Sequence, residues 1–390
     1  MGKNLQESLS YFSDKIFDAI KSKKSILVTT HIDCDGITSG SIISKALIRE
    51  GAKCTTRTTN EFSQNVVEQL KKEDRGLHVI TDLGGGFAKN LDERIGDDWI
   101  ILDHHQIPDE EIDNQNVINA WKFGMDGGTE ICAGGMAYLA STALNKDNKD
   151  LSGVAVVSAL GDRQDQGEKK SFIGENQQIV KTAKELGLVD VNLDLLLVGR
   201  ETRPLPDALA FTSQPFIEGL TWNRDACLAI LNSTGIELKD GARWRVTADL
   251  DQDEKRSVIE GITKFAHGKN ATEIMDELIG YTYTFPREDK RSFLREGREF
   301  STMLNSCGRI GKSGVGISIC MGDRNKMLQE GEKILAQYRS MIREYMNVLG
   351  NERWRTNSDE NCVMVNAEGL VPETMTGTIS SLIAGSPKNI

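Results

Sequence analysis

Two clusters of aspartate and histidine, and two single aspartates, carry the chemistry open to this sequence. His31, Asp33 and Asp35 alternate in THIDCDG, and Asp82 precedes three glycines in ITDLGGG. Asp103, His104 and His105 are consecutive in ILDHHQ, and Asp162 follows Gly161 in ALGDRQD. Alternating residues of an extended segment share one face, so His31, Asp33 and Asp35 are expected to point together. Carboxylate and imidazole together suit Mn2+ or Mg2+, whereas no cysteines converge as a structural zinc site would need. Glycine after Asp82 permits a sharp turn and lets backbone N–H groups approach a phosphate. One aspartate after a strand is ordinarily a turn residue or helix cap, and a HisHis pair is commonly structural. Four such motifs in order, three of them at expected strand ends, are not explained that way. Four segments supply enough ligands for two cations about 4 Å apart.

The elements that must position these groups can be read from the pattern. Residues 1–22 read as a surface helix. Strands are expected at Ser25–Thr30, Ala52–Thr58, Leu77–Thr81 and Trp99–Leu102, with helices at Ser39–Glu50 and Glu61–Lys72 between them. That alternation predicts an α/β fold, a parallel sheet flanked by helices. Ligands bind such sheets beyond the C-terminal strand ends, where these clusters fall. Further helices are expected at Ala133–Leu144, at Leu151–Leu160 delivering Asp162, and at 175–188. From about Asn192 to Gly280 the character changes, beginning with a proline-containing connector, GRETRPLPDALAFTSQPFIEGLTW. Helices follow near 224–232 and 253–266, then at Arg291–Leu304 and Met327–Leu349, with one more near 375–384. Strands are expected at Val315–Met321 and Cys362–Asn366. Cys34, between two candidate ligands, should face the core, and Cys132, Cys227, Cys320 and Cys362 should pack. His78 and His267 should lie on the surface.

With 390 residues the chain should hold more than one domain. Apolar residues at 38% and charged residues at 27% fit a globular protein. A net charge of −11 excludes nucleic-acid binding by bulk charge, so any such site must be a local basic patch. No apolar run approaches the roughly 18 residues of a membrane span. The N-terminus lacks a signal peptide's apolar core, and the seven cysteines are scattered and odd in number. A cytoplasmic protein with reduced thiols is expected.

THIDCDG, ITDLGGG, ILDHHQ and ALGDRQD resemble the four motifs of the DHH phosphoesterase superfamily. LNSCGRIGKSGVGISICMGD, residues 304–323, resembles the start of the DHH-associated domain. With GRETRPLPDALAFTSQPF, the chain looks most like the archaeal RecJ-like single-strand nucleases, some of which associate with the replication complex GINS. The resemblance implies a DHH domain over 1–190, an α+β insertion over 191–290 and a smaller α/β DHH-associated, substrate-binding domain over 291–390. The family's C-terminal GGH-type segment is missing, so that last domain is expected to be incomplete. By motif, one cation would be held by Asp33 and Asp82 with His31, and the other by Asp35, Asp82, His104 and Asp162. Mn2+ is placed ahead of Mg2+. His105 would face the scissile phosphate, and Asp103 would orient the histidine pair. Asn305, Gly308 and Arg309 would touch the nucleic-acid backbone. Arg200 and Arg203 read as structural, and Trp222, Trp244 and Trp354 as packed rather than stacked on bases. The implied function is metal-dependent phosphodiester hydrolysis of single-stranded DNA or RNA as an exonuclease, with a GINS-type complex as partner and no membrane. The rivals are a DHH hydrolase of short oligonucleotides or cyclic dinucleotides and a non-catalytic scaffold of a replicative helicase complex.

Overall fold

A computed structural model describes residues 4–73, 76–266, 270–358 and 362–384. The chain divides into two units. The first comprises 1–190, 285–287 and 300–334; the second comprises 191–284, 288–299 and 335–390.

The first unit is built on five strands, β1 (Ile26–His31), β2 (Cys54–Thr59), β3 (Leu77–Thr81), β4 (Trp99–Asp103) and β5 (Val117–Asn119). They form one parallel sheet in the order β2-β1-β3-β4-β5. β1, β3 and β4 are buried along almost their whole length, as apolar, β-branched runs covered on both faces must be. The helices are α1 (Leu5–Lys21), α2 (Cys34–Arg49), α3 (Gln64–Lys72), α4 (Ala88–Ile95), the single turn α5 (Asp109–Ile112), α6 (Ala133–Leu144), α7 (Ser152–Gly161) and α8 (Gly174–Glu185). One core joins Leu27, Ile80, Trp99 and Ile101 of the sheet to Val67 and Leu70 of α3 and Leu91 of α4. α2 packs on β1 and against α6 and α7.

The second unit contains β6 (Asp190–Leu195), α9 (Leu205–Phe211), α10 (Arg224–Ser233), the short hairpin β7 (Lys239–Asp240) and β8 (Arg243–Trp244), α11 (Gln252–Phe265), α12 (Asn270–Leu278) and β9 (Ile279–Thr284). β6 pairs with β9. The core gathers Leu205 and Leu209 of α9, Cys227 and Leu231 of α10, Val258 and Ile262 of α11, and Leu278. The chain continues through α13 (Gly297–Arg309), α14 (Ser313–Met321), α15 (Lys326–Asn351), the hairpin β10 (Thr356–Ser358) and β11 (Val363–Val365), and α16 (Glu373–Ala384). Among the described residues no helix is long and apolar enough to cross a membrane.

The structure corrects several expectations. Val315–Met321 is helical, not a strand: α14 packs on α2, and a short apolar run has no periodicity that separates the two states. His78 is buried, because β3 is covered on both faces. His267 lies outside the described residues. Cys34, Cys132, Cys227 and Cys320 are buried as expected, but Cys362 is exposed. Trp244 is half-buried against the second unit's core, whereas Trp222 is 45% and Trp354 70% exposed.

Candidate metal centre

Every cluster arrives at the C-terminal edge of the sheet. β1 ends at His31, but the next residues do not stay extended. Asp33 is the N-cap of α2, its Oδ1 accepting from the Gly36 N–H at 3.0 Å, and Asp35 sits in the first helical turn. The turn, not strand alternation, therefore brings the three together. His31 Nδ1 lies 3.1 Å from Asp33 Oδ2 and 3.7 Å from Asp82 Oδ2.

Asp35 is buried and firmly held. Its oxygens accept from the Ala133 and Gly134 N–H groups at 2.8 Å each, at the start of α6, and from the Ser158 hydroxyl of α7. Asp82 follows β3 with φ +65, in the left-handed region, and its N–H donates to the Leu102 carbonyl. Asp103, at the end of β4, accepts at Oδ1 from the His104 N–H and from His105 Nδ1, both at 2.8 Å. Its Oδ2 takes the Gly85 N–H, so one of the three glycines serves the protein itself.

His104 is fixed from behind. Its Nδ1 lies 2.6 Å from the Gly127 carbonyl, which can only accept, so Nδ1 carries the proton. Nε2 then faces Asp35 Oδ2 and Asp82 Oδ1, each at 3.3 Å. A side chain on Gly127 would begin 1.8 Å from the His104 carbonyl oxygen, so only glycine lets this loop approach. Asp162 caps the end of α7, and its Oδ2 accepts from Gln164 Nε2 at 2.8 Å.

The electrostatics of this assembly are unfavourable for protein groups alone. Burial, then the charge of Asp35 and its neighbours, pushes the Asp82 carboxyl well above its ordinary range. The same two causes raise Asp162 to about 7. Burial opposes protonation of His31 and His104, but the facing carboxylates outweigh it and raise both. Burial also opposes ionisation of Asp33, yet its hydrogen bond with His31 brings it down to about 2. His105 is raised chiefly by its hydrogen bond to Asp103.

Two buried atoms here have no hydrogen-bond partner, Asp82 Oδ2 and His104 Nε2. A buried polar atom left unpaired costs about 1–3 kcal/mol, so such atoms ordinarily have a partner. The possible ligand groups overlap: His31, Asp33 and Asp82; Asp35, His104 and Asp162; and Asp82, Asp103, His104 and His105. The donors are oxygen and imidazole nitrogen, and the unpaired atoms face inward. This fits divalent cations.

All eight residues of the four motifs thus converge. The sequence reading singles out neither Gln164, which is buried and also donates to the Gly127 and Ile131 carbonyls, nor Trp121, whose Nε1 donates to the His104 carbonyl at 2.9 Å. The GDRQD run was the one available signal for Gln164. Asn305 and Gly308 lie against the first motif's turn. Asn305 Oδ1 accepts from the Cys34 N–H at 3.0 Å, and a Cβ on Gly308 would lie 1.7 Å from the Ile32 carbonyl oxygen. Arg309 is half-buried at the end of α13.

Residues 25–172 match the family model for the DHH family, N-terminal domain, and residues 197–279 match the DHH-CID domain. An uncharacterised protein of Methanocaldococcus jannaschii is 31% identical over 350 residues, covering 86% of this chain and 74% of the relative. Among solved structures, CDC45 from Entamoeba histolytica superposes with a TM-score of 0.63 at 16% identity, over 88% of this chain and 74% of CDC45. Exonuclease RecJ bound to manganese gives 0.57 at 15% identity, over 98% of this chain and 78% of RecJ. RecJ of Thermus thermophilus with Mn2+ gives 0.51 at 14% identity over 88% of this chain, which spans only 40% of that RecJ. With family models matching 25–172 and 197–279, and a relative 31% identical over most of both chains, the chain belongs to the DHH family.

Proposed function

We propose that the chain is a two-metal phosphodiesterase that hydrolyses single-stranded nucleic acid from an end. The observation that carries this is the pair of buried, unpartnered atoms, Asp82 Oδ2 and His104 Nε2, enclosed by further carboxylates. His31, Asp33 and Asp82 would hold one cation; Asp35, Asp82, His104 and Asp162 would hold the other. Mn2+ is placed ahead of Mg2+ because two imidazoles take part. Such cations supply charge neutralisation at the phosphate and a more acidic attacking water.

The chain's own residues supply position and protons. Asp103 fixes the His105 ring through Nδ1, so Nε2 is the atom left to donate to a phosphate oxygen or a departing hydroxyl. The hydrogen bond to Asp103 also raises the affinity of His105 for its proton, which favours the donor form. Gly127, Gln164 and Trp121 hold the DHH loop and the ring of His104. On the substrate side, Arg309 would take a backbone phosphate with its planar fork. Asn305 and Gly308 would bring the α13 end and the motif turn to the same strand. The likeness to exonuclease RecJ supports the nucleic-acid substrate.

The test uses single strands of DNA and RNA labelled at the 5′ or the 3′ end, incubated with Mn2+, Mg2+ or EDTA. Cation-dependent laddering from one end is expected. Cleavage restricted to oligonucleotides of a few residues would select the short-substrate rival. No cleavage of any strand would favour a replicative scaffold, the reading to which the CDC45 likeness lends support. In either case residues 191–290 would offer the surface for a GINS-type partner.

A further inference from the structure

Among the described residues of the second unit, three arginines make no ion pair. Arg203 follows the loop before α9, and Arg339 and Arg343 lie one helical turn apart on α15. Among the described residues no carboxylate oxygen comes within 4.0 Å of any of their guanidinium groups. Arg203 Nε is buried without a hydrogen-bond partner. The neighbouring Arg200 shows the usual alternative, paired with Asp194 at 2.9 Å.

Arg203 is nevertheless held in place. Gly199 has φ +77, and a Cβ there would lie 2.4 Å from Arg203 Cγ, so the loop is shaped around the arginine stem. The guanidinium lies over the Phe211 ring at 4.5 Å, and that of Arg339 over Phe293 at 5.1 Å. Burial first, and the charge of Arg203 second, bring Arg339 down to about 10. Arg203 lies in electrostatic range of Asp207, which is itself paired with Arg224 at 2.9 Å, and both Arg203 and Arg339 lie in range of Glu299. Its oxygens are already engaged by the Glu201 N–H at 2.9 Å and the Thr202 hydroxyl. Burial holds it up to about 7, so it is a poor counter-charge. Arginines gathered in this way are complete only with an anion from outside.

The aromatic residues beside them narrow the choice of anion. Phe211 is 37% and Trp222 45% exposed, and their rings meet edge to face at 5.9 Å. A planar apolar surface beside a phosphate-sized charge gap matches a nucleotide, with stacking for the base and arginine for the phosphate. An acidic peptide would use the arginines but not the rings. We propose that Arg203, Arg339 and Arg343 bind backbone phosphate of single-stranded nucleic acid, with Trp222 and Phe211 stacking a base. This rests on the single-strand reading above and adds a binding site in the second unit.

The test is anisotropy of labelled dT15 with the full chain in EDTA, across a salt series. Arg203→Gln/Arg339→Gln should weaken binding at least tenfold and lower the log–log salt slope by about 1.4, at about 0.7 per phosphate contact. Arg343→Gln, at an exposed position that folding does not need, should lower the slope by about 0.7. Trp222→Ala should weaken binding several-fold and leave the slope unchanged. Folded variants with affinity within twofold of wild type and the same slope overturn the proposal. So does polyglutamate that binds through these arginines where dT15 does not. If wild type cleaves single strands while its variants bind them normally, only this inference fails. If wild type neither binds nor cleaves them, the nuclease reading fails with it.

Discussion

Asp82→Asn should make the cation-free protein more stable while removing its response to cations. Asp82 is almost fully buried, its Oδ2 has no partner, and the charges of Asp35, Asp33, Asp103 and Asp162 bear on it. Asparagine removes one charge without changing shape and tolerates the φ of +65, where alanine would add strain. Its amide can also donate to His104 Nε2, 3.3 Å from the present Oδ1. One buried unpaired acceptor is worth about 1–3 kcal/mol. At roughly 2–4 °C per kcal/mol for a unit of this size, the EDTA melting temperature should rise by several degrees. Wild type should in turn gain about 2.7 kcal/mol from a cation at a hundred times its Kd, and the variant far less. Differential scanning fluorimetry in EDTA and in a Mn2+ series reads both effects. A variant less stable in EDTA, or one that keeps the full Mn2+ shift, would refute the reasoning.

Other substitutions separate the roles further. His104→Ala should weaken Mn2+ binding, whereas His105→Ala should keep occupancy and lower turnover; calorimetric titrations giving the reverse order would overturn that division. Gly127→Ala places a Cβ where the His104 carbonyl stands, so it should lower melting temperature and Mn2+ affinity together. Glu299 is raised from 4.5 to about 7 in the folded state. Its contribution is therefore full below pH 4.5 and lost as pH rises through about 7. Glu299→Gln should match wild type in stability near pH 4 and exceed it by up to about 3 kcal/mol at pH 8, from about 1.4 kcal/mol per pKa unit. Chemical denaturation at the two pH values checks this, and a constant difference between them would contradict it.

The sheet and its active edge were legible because each motif directly follows a strand with a clear apolar pattern. Asp82, His104 and their neighbours need no long-range information to be placed at strand ends. The support around them was hidden, because it arrives through space. Asp35 is held by backbone N–H groups of Ala133 and Gly134, about a hundred positions later, and a backbone donor leaves no signature in the side-chain pattern. Gln164 and Gly127 act through backbone carbonyls, and polarity alone does not reveal that. α14 was misread because a uniformly apolar run of its length fits a strand as well as a helix. Nothing in the sequence around Arg203 signals the α15 arginines and Glu299 that stand near it in the fold.

The account stands most directly on two cations sharing Asp82. Diffraction from crystals grown with Mn2+, recorded at the manganese absorption edge, measures this. Two anomalous peaks are predicted, one among His31, Asp33 and Asp82 and the other among Asp35, Asp82, His104 and Asp162. A single peak, or none, in a well-ordered crystal at saturating Mn2+ would contradict it.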